Sequence, residues 1–308
     1  MKKLKLVQTI ELIPTQPFNF NFTFHKPDHF ETLNYKWKSD VVWQTFVFNN
    51  HKLGIKFISK EKSIIAKIYN NRKLRTNELN QLKDELIYRY NLNLNLSEFY
   101  QSFKNDEHLK IPIKNLYGLK PAHPGSLYEY LVIGLVLQNA NIKRSIQMLD
   151  NLFNAYGNLL VFDNMHLYCF WQPGSLKSVS ETDLRKLKLG YRAKTLKKID
   201  DLFRTNEIDE LELRKLDINE QKKNLLKIYG VGPATVWYIL FDVFHQYDFF
   251  DHISPWEQKI LSKIIFGTDD KKPVSVKRLL KFFDRYGKYK QLALHYIWEY
   301  WWWQMKDN

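Results

Sequence analysis

The stretch Leu225-Leu226-Lys227-Ile228-Tyr229-Gly230-Val231-Gly232-Pro233-Ala234-Thr235-Val236 has the residue types needed to hold a phosphate. Leu225 and Ile228 read as the apolar side of a helix that stops at a tight turn. Glycines 230 and 232 admit the left-handed backbone such a turn needs, and Pro233 suits the first position of a second helix. The start of that helix presents unsatisfied amides at a positive dipole end, where an anion sits well. Gly230, Val231, Gly232, Ala234 and Thr235 are the residues expected to make the contact. Gly-x-Gly alone fits any short helix connection; the apolar flanks and the Pro-Ala-Thr run favour a helix-hairpin-helix that binds nucleic acid. Four carboxylates follow: Asp242, Asp248, Asp251 and Glu257. Asp251 comes 19 residues after Gly232, just ahead of Ser254-Pro255-Trp256-Glu257. That tetrad reads as a capping box with Ser254 as the helix cap.

The elements that must position these residues change character along the chain. Phe18, Phe20, Phe22 and Phe24 alternate with Asn19, Asn21 and Thr23, the period of a half-buried strand. Short runs at Val41–Phe48, Lys52–Ile58 and Ser63–Tyr69 extend this into a small antiparallel sheet. Beyond about Asn77 the apolar spacing becomes helical, beginning with Leu82, Leu86, Ile87 and Tyr90. Helices are expected at Leu127–Leu137, Ile142–Tyr156, Ser180–Leu187, Ala193–Phe203, Asn219–Ile228, Pro233–Phe244, Pro255–Phe266, Val274–Tyr286 and Leu292–Trp303. The fold class is mainly α with an N-terminal antiparallel β-sheet (α+β). Residues 1–110 carry the sheet with a helix, and 111–308 form a helical core of two subdomains, 126–240 and 111–125 with 241–308, flanking a cleft.

Composition narrows the partners. Lysine and arginine outnumber acidic residues 47 to 33, a formal net charge of +14. Such a balance draws polyanions, since each cation placed at a phosphate releases counterions. A ribosomal or RNA-binding protein has the same balance. Cys169 stands alone, which excludes an internal disulfide and a four-cysteine iron–sulfur cluster and fits a reducing, cytoplasmic setting. No apolar run approaches the roughly 20 residues that span a bilayer.

The hairpin and its surroundings resemble the helix-hairpin-helix DNA glycosylase superfamily, most closely bacterial 3-methyladenine DNA glycosylase II and next 8-oxoguanine DNA glycosylase. Pro17-Phe18-Asn19-Phe20 with Thr23, Asn93 to Tyr100 with Asn105-Asp106, and Gly118-Leu119-Lys120-Pro121 with Leu127 to Gln138 are similar to the first branch. So are Tyr289, Ala293, His295, Ile297 and Trp298. Leu187-Lys188-Leu189-Gly190-Tyr191-Arg192-Ala193-Lys194 is similar to the second. The resemblance runs from about Gln16 to Trp303.

It implies an enzyme that flips a damaged base from duplex DNA, at a few kcal/mol, and hydrolyses its N-glycosidic bond. Asp251 is then the catalytic carboxylate, acting on water and on the positive sugar of the transition state. The family aspartate usually occupies the helix cap. Here either the loop bulges and aims Asp251 at the sugar, or Ser254 has taken the aspartate's place and activity is weakened or lost. The lysine of bifunctional members corresponds to Ala234, which cannot attack, so a monofunctional glycosylase without lyase activity is expected. The resemblance further implies Asn139 as the intercalating residue, with helix capping as the competing reading. Asn141, Lys143, Arg144, Tyr191, Arg192 and Lys194 would contact DNA. Trp298, Tyr238 and Gln138 would line a base pocket for an alkylated, cationic purine. No metal or organic cofactor is called for, though a monovalent cation held by hairpin carbonyls near Gly230 and Gly232 is implied when DNA is bound. The expected partner is damaged double-stranded DNA, with no membrane and the protein a monomer. An 8-oxoguanine-type glycosylase and a catalytically impaired lesion-binding protein are the alternatives.

Overall fold

The computed structural model describes residues 2–25, 30, 32–269 and 271–306. Two compact units share the chain by turns: Met1–Thr15, His29–Asn93 and His123–Lys215 form the first, and Gln16–Asp28, Leu94–Ala122 and Leu216–Asn308 the second.

The first unit holds a five-stranded antiparallel sheet ordered Lys5–Leu12, Ser63–Asn70, His51–Lys60, Val41–Phe48 and Tyr35–Lys38. Alternation fixes its buried face: Leu53, Ile55 and Phe57 on one strand and Ile64, Ala66 and Ile68 on its neighbour are fully buried. Leu82 and Leu86 of the helix Thr76–Arg89 are buried too, and Tyr90 ends that run with its ring 5.2 Å from Phe57. The unit continues through helices Leu127–Leu137, Ile142–Tyr156 and Arg192–Arg204.

A hairpin of Asn158–Phe162 with Met165–Cys169 interrupts the stretch that periodicity reads as wholly helical. Its turn is Asp163-Asn164, both with positive φ, and this pair tolerates the left-handed region well. The Asp163 carboxylate accepts from Trp43 Nε1 at 2.6 Å and Tyr69 Oη at 2.9 Å, and pairs with Lys56 at 2.8 Å. Phe162 lies so close to Gly54 that a Cβ there would stand 2.5 Å from its ring, which makes glycine a packing requirement in the strand.

The expected Phe18–Phe24 strand is a short helix, Phe20–Phe24, in the second unit. Asn19 caps it, its side chain accepting from Phe22 N at 3.0 Å. Phe20, Thr23 and Phe24 are buried at helical spacing, and the Phe20 and Phe24 rings stack at 4.4 Å. Alternating phenylalanines satisfy i, i+4 as well as i, i+2, and the cap decides between them. Phe22 of this helix packs against the unit's core, which includes Phe99, Trp237, Phe250, Leu261, Phe283 and Tyr296. A hydrogen-bonded chain runs through it: Gly118 N donates to Tyr100 Oη (2.9 Å), the Tyr100 and Tyr296 hydroxyls meet at 2.5 Å, and Tyr296 Oη donates to the Leu119 carbonyl at 2.6 Å.

Candidate functional site

The second unit carries the hairpin. Its first helix, Ile218–Leu225, starts at Asp217, whose carboxylate accepts from Asn219 N (2.8 Å) and Glu220 N (3.1 Å). Gly230 takes φ +84°, and Val231 N returns to the Ile228 carbonyl at 3.0 Å. The second helix, Pro233–Asp242, opens at Gly232, whose carbonyl accepts from Val236 N at 3.0 Å. Gly232 has no side chain to cap the helix, and Pro233 brings no amide. The Ala234 and Thr235 amides are therefore first-turn donors with no intrahelical acceptor, at the positive end of a ten-residue helix. Gly230 is exposed, whereas the Val231 side chain is buried, so residue 231 can offer only its backbone.

No helix or strand lies between Asp242 and Pro255, and Asp251 stands exposed in that interval. Its Oδ2 lies 2.8 Å from Lys222 Nζ of the first hairpin helix. Ser254 caps the next helix, Pro255–Phe266: its Oγ accepts from Glu257 N, and its own amide donates to Glu257 Oε2 at 2.8 Å. The capping box read from sequence is thus formed, and Asp251 stands outside it. Buried Glu257 also accepts the hydroxyl of Tyr238, so Tyr238 meets a carboxylate at its polar end. Trp298 is half-buried, with the Trp256 ring 5.4 Å away at 82° and 54% exposed. Trp302 is 6.3 Å from Trp256 and 6.4 Å from Trp298, so the three rings form one cluster.

The first unit carries the loop after helix Leu127–Leu137. Asn139 is exposed with φ +48°, and its amide donates to Tyr191 Oη at 3.2 Å. The cap of Ile142–Tyr156 is Asn141, whose Oδ1 accepts from Arg144 N at 2.9 Å, so the capping role considered for Asn139 falls to its neighbour. Lys143, Arg144, Tyr191 and Lys194 are exposed, as a phosphate-facing role requires. Arg192 is not: at 4% exposure its guanidinium donates to the carbonyls of Leu135 (3.1 Å) and Gln138 and lies 4.7 Å from the Tyr191 ring. It braces the loop from behind, with its guanidinium directed at those carbonyls. Gln138 is half-buried at the helix end, its carbonyl taken by that guanidinium.

Sequence reasoning missed Lys222 and Trp256. Lys222 is separated from Asp251 by 29 positions, and nothing in its local pattern marks it. Trp256 sits at the second position of a capped helix, which could have suggested a ring beside the cap. Among the described residues there is no cluster of three or more His, Cys, Asp or Glu side chains placed for a metal, and no helix long and apolar enough to cross a membrane.

The hairpin, the sheet-bearing unit and the aromatic closing helix together give the fold of the helix-hairpin-helix DNA glycosylases, of both the 3-methyladenine and the 8-oxoguanine kind. Over 96% of its length the chain superposes on a 3-methyladenine DNA-glycosylase from Archaeoglobus fulgidus (98% of that chain, TM-score 0.75, 17% identity). The apo form of the Clostridium acetobutylicum 8-oxoguanine glycosylase/lyase matches over 97% of this chain and 99% of its own, with TM-score 0.71 and 19% identity. In sequence, a DNA-3-methyladenine glycosylase of Bacillus subtilis (strain 168) is 26% identical over 208 residues, 64% of this chain. That stretch spans 62% of the Bacillus protein. No protein-family model matches the sequence.

Proposed function

We propose that this protein is a DNA glycosylase of base excision repair. It binds duplex DNA as a monomer, flips out a damaged, alkylated purine and hydrolyses its N-glycosidic bond with water guided by Asp251. The observation that carries the reading is the hairpin: two first-turn amides with no intrahelical acceptor lie in one unit with the exposed Asp251 carboxylate and the Trp298–Trp256 pair. The amides and the chain's net charge of +14 suit a phosphate. The carboxylate suits the oxocarbenium-like sugar, and electron-rich rings suit a cationic base. Ala234 supplies no amine, so base removal proceeds by hydrolysis with no strand cleavage from that position.

A monovalent cation is compatible with the turn when DNA is bound. Backbone carbonyls are hard oxygen donors, and the Gly232 carbonyl keeps one lone pair beyond the bond from Val236. Such an ion would neutralise a phosphate close to the hairpin.

A second reading, an 8-oxoguanine-type glycosylase, is favoured by the contact between Asn139 and Tyr191 on the Arg192 brace, the part of the sequence that resembles that branch. A third, a lesion-binding protein with impaired catalysis, is favoured by Ser254 at the helix cap.

One experiment separates them: duplex oligonucleotides bearing an alkylated purine or 8-oxoguanine are treated with wild type and Asp251→Asn, then developed with and without alkali. The proposal expects strand breaks at the alkylated purine only after alkali, abolished by Asp251→Asn. Breaks at 8-oxoguanine alone would favour the second reading. Inactivity with tight binding to an abasic analogue would favour the third.

A further inference from the structure

Asp251 occupies a segment with no secondary structure, yet the segment is anchored on both sides of it. Phe250 and Ile253 are buried, the Phe250 ring lying 5.4 Å from Trp237 and 5.1 Å from Phe283. The Gln291 side-chain amide donates to the Phe249 carbonyl at 2.7 Å, and the Gln291 backbone amide to the Tyr247 carbonyl at 2.9 Å. These contacts fix the backbone but not the Asp251 side chain, which is 45% exposed. What orients the carboxylate is Lys222, with Nζ 2.8 Å from Oδ2 and 4.7 Å from the Phe249 ring. The neighbouring Lys223 pairs with Glu220 on its own helix at 3.2 Å, so Lys222 is the hairpin lysine turned toward this segment.

We infer that Lys222 is a positioning residue: it ties Asp251 Oδ2 to the hairpin and leaves Oδ1 to face the sugar and the attacking water. The inference rests on the glycosylase reading and on Asp251 as its carboxylate. Stability does not explain the pair, because an ion pair this exposed is worth about 0–1 kcal/mol. Its consequence is geometric. A carboxylate on an irregular segment samples several rotamers, and an effective general base must be held in one of them. Because Lys222 belongs to the phosphate-binding hairpin, the tie also sets the carboxylate relative to the element that grips the backbone of the DNA.

The test compares wild type, Lys222→Met, Lys222→Arg, Asp251→Asn and the double variant Lys222→Met/Asp251→Asn. Single-turnover excision is followed on a duplex with one alkylated purine, and affinity on a duplex with a tetrahydrofuran abasic analogue across a salt series. Lys222→Met should slow excision by about 10-fold or more at saturating enzyme, the size of effect that misplaced catalytic groups produce. Its affinity and salt slope should stay at the wild-type values. Lys222→Arg, which keeps a cation within reach of Asp251, should recover most of the rate, and the double variant should be no slower than Asp251→Asn. A merely structural lysine would lower the melting temperature and spare the saturating rate. If Lys222→Met excises at the wild-type rate while Asp251→Asn is inert, the inference fails and the glycosylase reading stands. Weaker binding with a shallower salt slope would make Lys222 a phosphate contact and overturn the inference. A wild-type protein inert on every lesion would overturn both, whereas full activity in Asp251→Asn would overturn the inference and Asp251's role while the glycosylase reading stands.

Discussion

Tyr238 of the second hairpin helix donates its hydroxyl to the carboxylate of Glu257, in the first turn of the helix that follows Asp251. The bond ties the hairpin to the capping box at Ser254, so the helix cap is held from two sides. Aspartate caps helices about as well as serine. Ser254→Asp should therefore leave the melting temperature nearly unchanged and place a carboxylate where the resembling family carries one. In the Asp251→Asn background it should restore alkali-dependent excision of the alkylated purine. Continued inactivity of that double variant would show that the cap does not face the sugar.

A charged network staples the first unit. Glu85 pairs with Arg89 at 2.6 Å and with Arg214 at 2.7 Å, while Arg214 also pairs with Glu210 and stacks 3.8 Å from the Tyr88 ring. Burial opposes ionisation of Glu85, but the two guanidiniums overcome it and hold its carboxyl at about 2. The network's contribution is therefore complete above the ordinary glutamate value and is lost as pH falls toward 2. Glu85→Gln should destabilise the protein by about 3 kcal/mol at neutral pH, typical of a broken buried pair. Chemical denaturation at pH 7 and pH 3 should show the gap narrowing at the lower pH.

Lys120 also loses stability as pH falls, but for the opposite reason: the fold disfavours its charged form. It is fully buried, its Nζ 5.8 Å from the Phe18 ring, and burial pushes its ammonium down to about 7. The unfolded chain then takes up a proton at higher pH than the folded one. Wild-type stability falls as pH drops from about 10 toward 7 and levels off below. Lys120→Met should become progressively more stable than wild type across that window, as thermal melts at pH 7, 8.5 and 10 would reveal. A constant difference would show that the lysine does not change charge there.

Arg192 gives a prediction about the loop. Removing its guanidinium takes a charged donor from the carbonyls of Leu135 and Gln138, and losing such a hydrogen bond costs about 1.5–3 kcal/mol. Arg192→Ala should lower stability by that order and loosen Asn139, with weaker binding to the abasic analogue. The salt slope should stay unchanged, since the charge is buried. A slope reduced by about one would instead make Arg192 a phosphate contact.

The parts legible in the sequence were those written in local code. Gly230 and Pro233 announce the hairpin because glycine takes the left-handed backbone without strain and the fixed φ of proline suits a helix start, and Ser254 announces its cap through the local pattern it opens. Features that depend on distant partners were not legible. Arg192 looks like a surface cation until the Leu135 carbonyl is placed against it, and Lys222 is one of many lysines until Asp251 arrives. The Asp163-Asn164 turn carried a usable signal, since such pairs favour the left-handed region, but the surrounding helical periodicity obscured it. At Phe20–Phe24 two periods fit the same residues, and only the cap separates them.

The interleaving of the two units has a consequence for synthesis of the chain. Phe22, Phe99 and Tyr100 leave the ribosome long before Tyr296 and the rest of the closing helix that completes their core. A ribosome halted near residue 215 will have supplied every segment of the first unit and only the two early segments of the second. Those aromatic residues must wait uncovered while some ninety further residues are made, an interval when a chaperone has most to bind and aggregation most to exploit. Loss of helix Lys290–Lys306 would thus damage folding from near Phe22 onward, because that late helix is needed by residues made much earlier.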